Sequence, residues 1–269
     1  MTADVQQFQV DLRGVVDLLS RHIYSSPRVY LRELLQNARD AITARREVDG
    51  GGGRIRITPL TAENGEFVLR DDGVGLTLTE VADLLATVGR SSKRDIFDLP
   101  RSDYLGQFGI GLLSCFMVAD TIVIRSRSAR GGASVEWTGS SDGTFQVAEI
   151  DEELPIGTSV HLVPRFDAGD LLRPAAVNEL ATAFGEFLPV RVTIDSGAGD
   201  IDITHPAPFL DGTPETAVQY GRELLGAAPL DVIELHEPAT GTRGLAYVLP
   251  FAPPPGARQA TRMYLGRML

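Results

Sequence analysis

The sequence predicts an α/β protein, because segments with the two-residue period of half-buried strands alternate with segments of helical spacing along most of its 269 residues. A long helical pattern near the N-terminus is followed by paired strand patterns, and a glycine-rich segment at 105–116 precedes a further run of strands. The apolar fraction of 43% and the charged fraction of 23% are those of an ordinary globular protein. The length is sufficient for more than one domain.

The elements follow from the hydrophobic pattern and its Gly and Pro punctuation. Ser26 and Pro27 are an N-cap and a first-turn proline, and they open a helix at 27–46 that ends before the four glycines at 50–53. The other elements predicted up to residue 195 are a strand at 8–12, a helix at 15–24, a hairpin of strands at 54–58 and 66–70, a helix at 79–88, a mobile polar loop at 89–104, a buried helix after the glycine segment, strands at 121–127, 133–138, 145–150 and 158–163, a helix at 171–187 and a strand at 190–194.

The composition changes at Ser196, after which Gly, Asp and Pro accumulate. The change predicts a first domain at 1–195, a linker at 196–215 and the start of a second domain at 216–269. Two strand patterns close the sequence, at 244–249 and 261–265, joined by a proline-rich turn at 253–256. They begin a sheet that the sequence does not finish, so we expect the chain to be a fragment of a longer protein.

Charge and cysteine content restrict the partners and the compartment. A net charge of −11 argues against nucleic acid and anionic membranes as main partners. The single cysteine, Cys115, rules out an internal disulfide and lies in an apolar run, which predicts a buried thiol in a reducing compartment. Residues 1–14 lack the apolar region of a secretory signal, and no apolar stretch approaches the length of a membrane span. We therefore expect a cytoplasmic location.

One face of the helix at 27–46 is a candidate site. At 3.6 residues per turn, Glu33, Asn37 and Asp40 share a narrow arc opposite the leucines. A solvated face of an amphipathic helix gives the same pattern, but such faces usually carry Lys and Glu, and Asn is a poor helix former. An amide oxygen beside phosphates suits Mg²⁺, which takes few protein ligands. Glu33, one turn away, is placed to polarise a water.

Three further segments have both a structural and a functional interpretation. Asp71 and Gly73 lie in a sequence typical of a β-turn, but a strand-end carboxylate beside glycines can also accept from the exocyclic amine of a flat ring, with Leu76 as an apolar wall. The glycines of 105–116 are typical of a turn before a helix, or of backbone N–H groups that cradle phosphate. The cations and hydroxyls of 87–94 are a solvated run or a lid over phosphates.

The order of these motifs resembles that of the GHKL ATPases, a superfamily that covers DNA gyrase, the 90-kDa heat-shock chaperones, histidine kinases and MutL. It consists of an E-x-x-x-N helix, a D-x-G-x-G turn, a G-x-x-G-x-G segment and a Gly-Thr pair before a strand. Tyr24 and Ser25 with 31–41, and 106–111 with 118–120, are similar to the 90-kDa heat-shock family of bacterial HtpG type. The resemblance covers nearly all of 8–195 and is weaker over 244–269.

The resemblance implies a fold and a set of residue roles. The fold is the Bergerat ATP-binding fold, a two-layer α/β sandwich whose mostly antiparallel sheet has helices on one face, followed by the beginning of a second α/β domain. Glu33 would be the general base for the attacking water, and Asn37 would hold Mg²⁺ and the phosphates. Asp71 would accept from the adenine amino group, supported through water by Thr158. The other ATP-binding residues implied are Asp40, Ala41, Gly75, Leu76, Arg90, Ser91, Gly106, Gln107, Phe108, Gly109, Ile110, Gly111 and Leu112.

The activity implied is that of an ATP-dependent chaperone, which hydrolyses ATP to ADP and phosphate with Mg²⁺ and acts on client or unfolded proteins as a homodimer. The family's completing arginine and its dimerisation domain would lie beyond residue 269 or be absent, so we expect slow hydrolysis by this chain alone. The sequence departs from the family in having Arg90 for Lys, Leu76 for Met and Leu112 for Phe. The alternatives are another GHKL ATPase of MutL or topoisomerase type, and a nucleotide-sensing interaction module without turnover.

Overall fold

The structure is a computed structural model that describes residues 26–86, 111–252, 261–264 and 267–269, with the backbone alone for 83–86. The strand predicted at 8–12, the helix at 15–24, the loop at 89–104 and the turn at 253–256 lie outside the described residues. The chain divides into two compact units, Met1–Thr204 with Met268 and His205–Arg267 with Leu269.

The first unit contains one eight-stranded sheet with helices packed against it. Every neighbouring strand pair is antiparallel except β1 with β7, so the predicted α/β sandwich with a mostly antiparallel sheet is confirmed. The strands lie in the order β5-β4-β3-β6-β2-β1-β7-β8. The elements are α1 (Val29–Asp49), β1 (Arg54–Thr58), β2 (Phe67–Asp71), α2 (Leu78–Ala86), a 3₁₀ helix (Gly111–Met117), β3 (Ala119–Arg127), β4 (Ser134–Ser140), β5 (Phe145–Ile150), β6 (Gly157–Pro164), a 3₁₀ helix (Gly169–Leu172), α3 (Pro174–Gly185), β7 (Arg191–Asp195) and β8 (Asp200–Asp202).

Helix α1 crosses the inner face of the sheet because its apolar side chains recur at three- and four-residue spacing. Leu31 and Ile42 are completely buried, and the Tyr30 ring meets the Phe67 ring of β2 edge-on at 5.7 Å. The Tyr30 hydroxyl also donates to a backbone carbonyl, at 3.0 Å. The helix ends where Gly50 adopts a left-handed φ of 71°. These contacts fix the polar arc of α1 relative to the end of β2.

Several predicted boundaries are wrong for identifiable reasons. Helix α1 begins at Val29, not at 27, and its N-cap residue makes no side-chain hydrogen bond. The helix predicted at 171–187 divides before Pro174, because a proline restricts the residue before it to extended backbone. The buried helix expected after the glycine segment is a seven-residue 3₁₀ helix. The hairpin of β1 and β2 is confirmed, with Ile57 opposite Leu69.

The second unit contains α4 (Pro214–Leu225) and a two-stranded antiparallel sheet of β9 (Asp231–Glu237) and β10 (Thr242–Val248). Neither α4 nor β9 was predicted from the sequence. Helix α4 starts within the segment predicted as a linker, where Thr213 forms a capping box and a proline follows it. The strand predicted at 261–265 is wrong over the described residues 261–264, which have no strand, and β10 pairs with β9 instead.

No described helix combines the length and the apolar character needed to cross a membrane.

Candidate functional site

The polar arc of α1 lies beside the core, where solvent reaches its carboxylates only in part. The Glu33 side chain is 12% exposed and the Asp40 side chain 1% exposed, whereas Asn37 is half-buried. Each carboxylate has the preceding arginine as an ion-pair partner, with N–O distances of 2.9 Å for Arg32–Glu33 and 2.8 Å for Arg39–Asp40. The sequence analysis missed both arginines.

A buried carboxylate ends strand β2. Asp71 is opposite Thr158 of β6, and its Oδ1 accepts from the Gly73 N–H at 2.8 Å. Burial raises the pKa of Asp71 to about 7, and the Asp72 charge acts in the same direction. The N–H groups of Gly73 and Thr158 oppose this effect. The carboxyl is therefore a strong acceptor held in an apolar environment with few donors.

Two glycines let the turn after β2 lie against its neighbours. A Cβ on Gly73 would lie 2.6 Å from both the Ala41 Cβ of α1 and the Asp71 Oδ1. Gly75 has a φ of +67°, and a Cβ there would lie 2.0 Å from the Arg127 carbonyl oxygen of β3. The Val74 N–H also donates to the Ala41 carbonyl at 2.9 Å, which joins the turn to the helix. Asp71 and the polar arc of α1 therefore share one side of the molecule.

Ser126 of β3 connects this turn to β6, and the sequence analysis did not identify it. Its fully buried hydroxyl accepts from the Leu76 N–H at 2.8 Å and donates to the Gly157 carbonyl at 2.9 Å. Because one hydroxyl has one proton, the Thr158 hydroxyl, 2.9 Å away, donates to Ser126. The available signal was a serine at an inward position of a strand whose other inward positions include Ile122 and Ile124.

The end of the glycine segment lies against α1. A Cβ on Gly111 would lie 2.6 Å from Glu33 Oε2, and Leu112 packs on the core while remaining half-buried. The prediction of a buried Cys115 is confirmed, and burial raises the pKa of its thiol above the usual range. Arg90, Ser91 and the segment from Gly106 to Ile110 lie outside the described residues.

No three His, Cys, Asp or Glu side chains converge on a possible metal position within the described ranges. A separate groove of about 300 Å³ lies on the outer face of the sheet, remote from the polar arc of α1. Its arginines include Arg56 and Arg125, each of which forms ion pairs with two carboxylates. These two arginines therefore contribute little excess positive charge to the groove.

Comparison with known proteins gives one family and a consistent set of relatives. Residues 24–158 match the family described as histidine kinase-, DNA gyrase B- and HSP90-like ATPase. The relatives include the chaperone protein HtpG of Rhodopseudomonas palustris, 29% identical over 92% of this chain and 44% of the relative. They also include HtpG of Mycolicibacterium vanbaalenii, 32% identical over 88% and 40%, and HtpG of Mycobacterium tuberculosis strain H37Rv, 33% identical over 72% and 34%. The chain thus spans less than half the length of these curated relatives.

Proposed function

Because this chain belongs to the family of histidine kinase-, DNA gyrase B- and HSP90-like ATPases, in its HtpG-type branch, we propose that it is an ATPase. In this proposal it binds ATP and ADP with Mg²⁺ and hydrolyses ATP. The observation that supports this most is Asp71. A carboxyl with almost no solvent, at the end of a central strand and beside Gly73 and Gly75, is suited to accept from the amino group of adenine.

The chain's own residues supply adenine recognition in this proposal. Oδ1 of Asp71 accepts from the Gly73 N–H and the Thr158 N–H also reaches the carboxyl, so we assign a remaining lone pair of Oδ2 to the adenine amine. Leu76 forms an apolar wall whose backbone is held by Ser126. Thr158 supports Asp71 from the neighbouring strand, and Gly75 and Ala41 are assigned to the border of the ring. Discrimination between adenine and purines without its amino group then depends on this donor, because a purine without it leaves the buried Asp71 acceptor unpaired.

The phosphates are assigned to the other end of the polar arc of α1. Glu33 positions a water and accepts its proton, and its limited exposure keeps competing water away. Asn37 fits Mg²⁺, because a half-buried amide oxygen is a hard ligand and Mg²⁺ takes most of its ligands from phosphates and water. When bound, Mg²⁺ supplies neutralisation of phosphate charge. Asp40 is assigned to the sugar, and Gly111, Leu112, the segment 106–110, Arg90 and Ser91 are assigned to the phosphates.

Calorimetric titration with ADP and Mg²⁺ tests the binding assignment. Asp71→Asn is expected to weaken ADP binding by about a hundredfold or more. An amide accepts through its oxygen only, so its NH₂ group would face either the Gly73 N–H or the adenine amine, and two donors would meet. Asp167→Asn removes the same charge from an exposed loop and is the control. Unaltered ADP affinity in Asp71→Asn, or no binding by the unmodified chain, would refute the assignment.

Hydrolysis is tested separately with Glu33→Ala. We expect this variant to bind ATP as the unmodified chain does and to lose turnover in a single-turnover assay. Retained turnover would show that Glu33 is not the base. The same assay on the unmodified chain distinguishes an ATPase, which turns ATP over, from a nucleotide-sensing module, which does not. Stimulation of the hydrolysis rate by added DNA would favour the MutL- or topoisomerase-like alternative.

We further propose that the complete protein is a cytoplasmic, homodimeric chaperone that acts on client or unfolded proteins and uses neither nucleic acid nor membrane as a partner. The HtpG relatives, which carry the name of chaperone proteins, and the net charge of −11 support this proposal. Suppression of the thermal aggregation of a model client by the longer protein, dependent on ATP and lost in Glu33→Ala, is the expected result. Equal suppression without ATP would contradict the ATP-driven cycle.

A further inference from the structure

Three polar side chains lie side by side on the inner face of the sheet. Asp71 of β2 is opposite Thr158 of β6, and Thr158 is opposite Ser126 of β3. The residues that continue this row on either side are buried and apolar, Ile55 on β1 and Val135 on β4. The row is therefore a polar strip in an apolar layer, where each proton and each lone pair has to be matched.

Ser126 uses the whole hydrogen-bonding capacity of its hydroxyl. Its oxygen accepts from the Leu76 N–H at 2.8 Å and from the Thr158 hydroxyl at 2.9 Å. Its proton is donated to the Gly157 carbonyl at 2.9 Å. Because a hydroxyl has one proton and two lone pairs, this arrangement alone satisfies all three neighbours. Ser126 thereby fixes the direction of the Thr158 proton.

Thr158 is consequently an acceptor toward any ligand. Its hydroxyl proton is directed to Ser126, so its Oγ1 offers only lone pairs for a further contact. Ser126 is fully buried, whereas Thr158 is half-buried and retains exposed surface. A ligand group that meets Thr158 Oγ1 must therefore donate, as must a group that meets the ionised carboxylate of Asp71.

Asp71 alone does not exclude a purine that has a keto oxygen in place of the adenine amine. Burial raises the pKa of Asp71 to about 7, so part of the population carries a proton on this carboxyl near neutral pH. A protonated carboxyl can donate to a keto oxygen. The Thr158 hydroxyl has no such second state as long as Ser126 holds its proton.

We propose that Ser126 is a positioning residue that determines purine specificity, because it makes Thr158 an acceptor for the second N–H of the adenine amine, a role that rests on the proposed function of the site. The first N–H of the amine donates to Asp71. With a keto oxygen in this place, two acceptors meet at Thr158 in either protonation state of Asp71. Without Ser126, the Thr158 hydroxyl can rotate and donate to that oxygen.

The test is a calorimetric titration of the whole chain at pH 6.5 with the Mg²⁺ complexes of ADP and of inosine diphosphate, which has the keto oxygen. We expect the unmodified chain to prefer ADP, and Ser126→Ala to reduce the ratio of the two affinities about tenfold. Loss of the Leu76 contact weakens both nucleotides alike, so it lowers the affinities without changing their ratio. Ser134→Ala is the control, because Ser134 lies outside the row and its buried hydroxyl accepts from the Leu154 N–H at 3.0 Å. This variant is expected to keep the ratio of the unmodified chain.

A double-mutant cycle shows whether Ser126 acts through Thr158. Thr158→Val removes the hydroxyl, so Ser126→Ala added to this variant is expected to leave the ratio where Thr158→Val alone has set it. Fluorescence of the single tryptophan, Trp137, checks that each variant is folded. If Ser126→Ala is not, Ser126→Cys replaces it, and this weaker donor and acceptor is expected to lose part of the preference for ADP.

The outcomes separate the inference from the function on which it rests. An unchanged ratio in Ser126→Ala would overturn the inference, and so would equal affinity of the unmodified chain for both nucleotides. A reduction of the same size in the Thr158→Val background would also overturn it, since Ser126 would then act by another route. Absence of ADP binding by the unmodified chain would instead refute the proposed function itself.

Discussion

The raised pKa of Asp71 makes the stability of the first unit depend on pH in a calculable way. The carboxyl has a pKa of about 7 when folded, against 3.8 when exposed to water, so the folded chain holds the proton more tightly between these values. The unfolded state binds fewer protons there, and stability falls as pH rises from about 4 to about 7. Above the folded pKa the loss is complete and constant.

The magnitude follows from the two pKa values. The interval between 3.8 and about 7, at 1.36 kcal/mol per pH unit, corresponds to about 4 kcal/mol. A measurement from pH 5 to pH 8 captures about 3 kcal/mol of it, because part of the loss occurs below pH 5. Asp71→Asn has no ionisation at this position, so the difference in unfolding free energy between this variant and the unmodified chain isolates the term from other titrating groups.

Urea denaturation at several pH values provides the assay. Trp137 is the single tryptophan and is 5% exposed in the first unit, so its fluorescence reports the unfolding of that unit. We expect the unmodified chain to lose about 3 kcal/mol relative to Asp71→Asn between pH 5 and pH 8, with unchanged m-values. A difference that stays constant over this range would mean that the carboxyl is solvated, and the argument from burial would be wrong.

Three other perturbations have expected outcomes. Gly75→Ala is expected to cost about 2 kcal/mol or more in unfolding free energy and to weaken ADP binding, because its Cβ would collide with the Arg127 carbonyl; an unaltered melting temperature would contradict the collision. Ser126→Ala is expected to cost about 1–3 kcal/mol, because the buried Leu76 N–H loses its acceptor, and calorimetric unfolding measures it. Chelation of Mg²⁺ is expected to weaken ATP binding and to leave adenosine binding unchanged in calorimetric titrations. Equal effects on both ligands would refute the assignment of Mg²⁺ to the site.

The sequence was sufficient for the parts of the fold that depend on local periodicity. Helix α1, the β1–β2 hairpin and the inward residues of β3 follow from apolar spacing that the buried core uses directly. Helix α4 was not predicted because the Asp-Gly-Thr-Pro sequence was interpreted as a linker. Thr213 and the following proline are also typical of the start of a helix. In strand β9, Ile233 and Leu235 alternate with Glu234 and His236, but both apolar side chains are exposed, so the alternation does not mark a buried face.

The candidate site was predictable where one residue type carries the chemistry and unpredictable where spatial neighbours do. The polar arc of α1 follows from helical spacing and Asp71 from its place at a strand end beside glycines, while the family resemblance supplied the roles of these residues. Ser126 required knowledge that β3 lies beside β6 and below the turn that contains Leu76.

The features that oppose local stability lie together in this molecule. Asp71 is ionisable in an apolar environment, Gly75 occupies a left-handed backbone conformation, and Arg39 has buried donors without acceptors. A sequence selected for the fold alone would replace these groups with apolar residues or expose them, since each costs free energy in isolation. A bound nucleotide would relieve the first of these costs, because its amine would donate to the carboxyl of Asp71. Asp71 is therefore better explained as a ligand-binding residue than as a packing defect, because the Gly73 and Thr158 N–H groups offset the cost of its burial only in part.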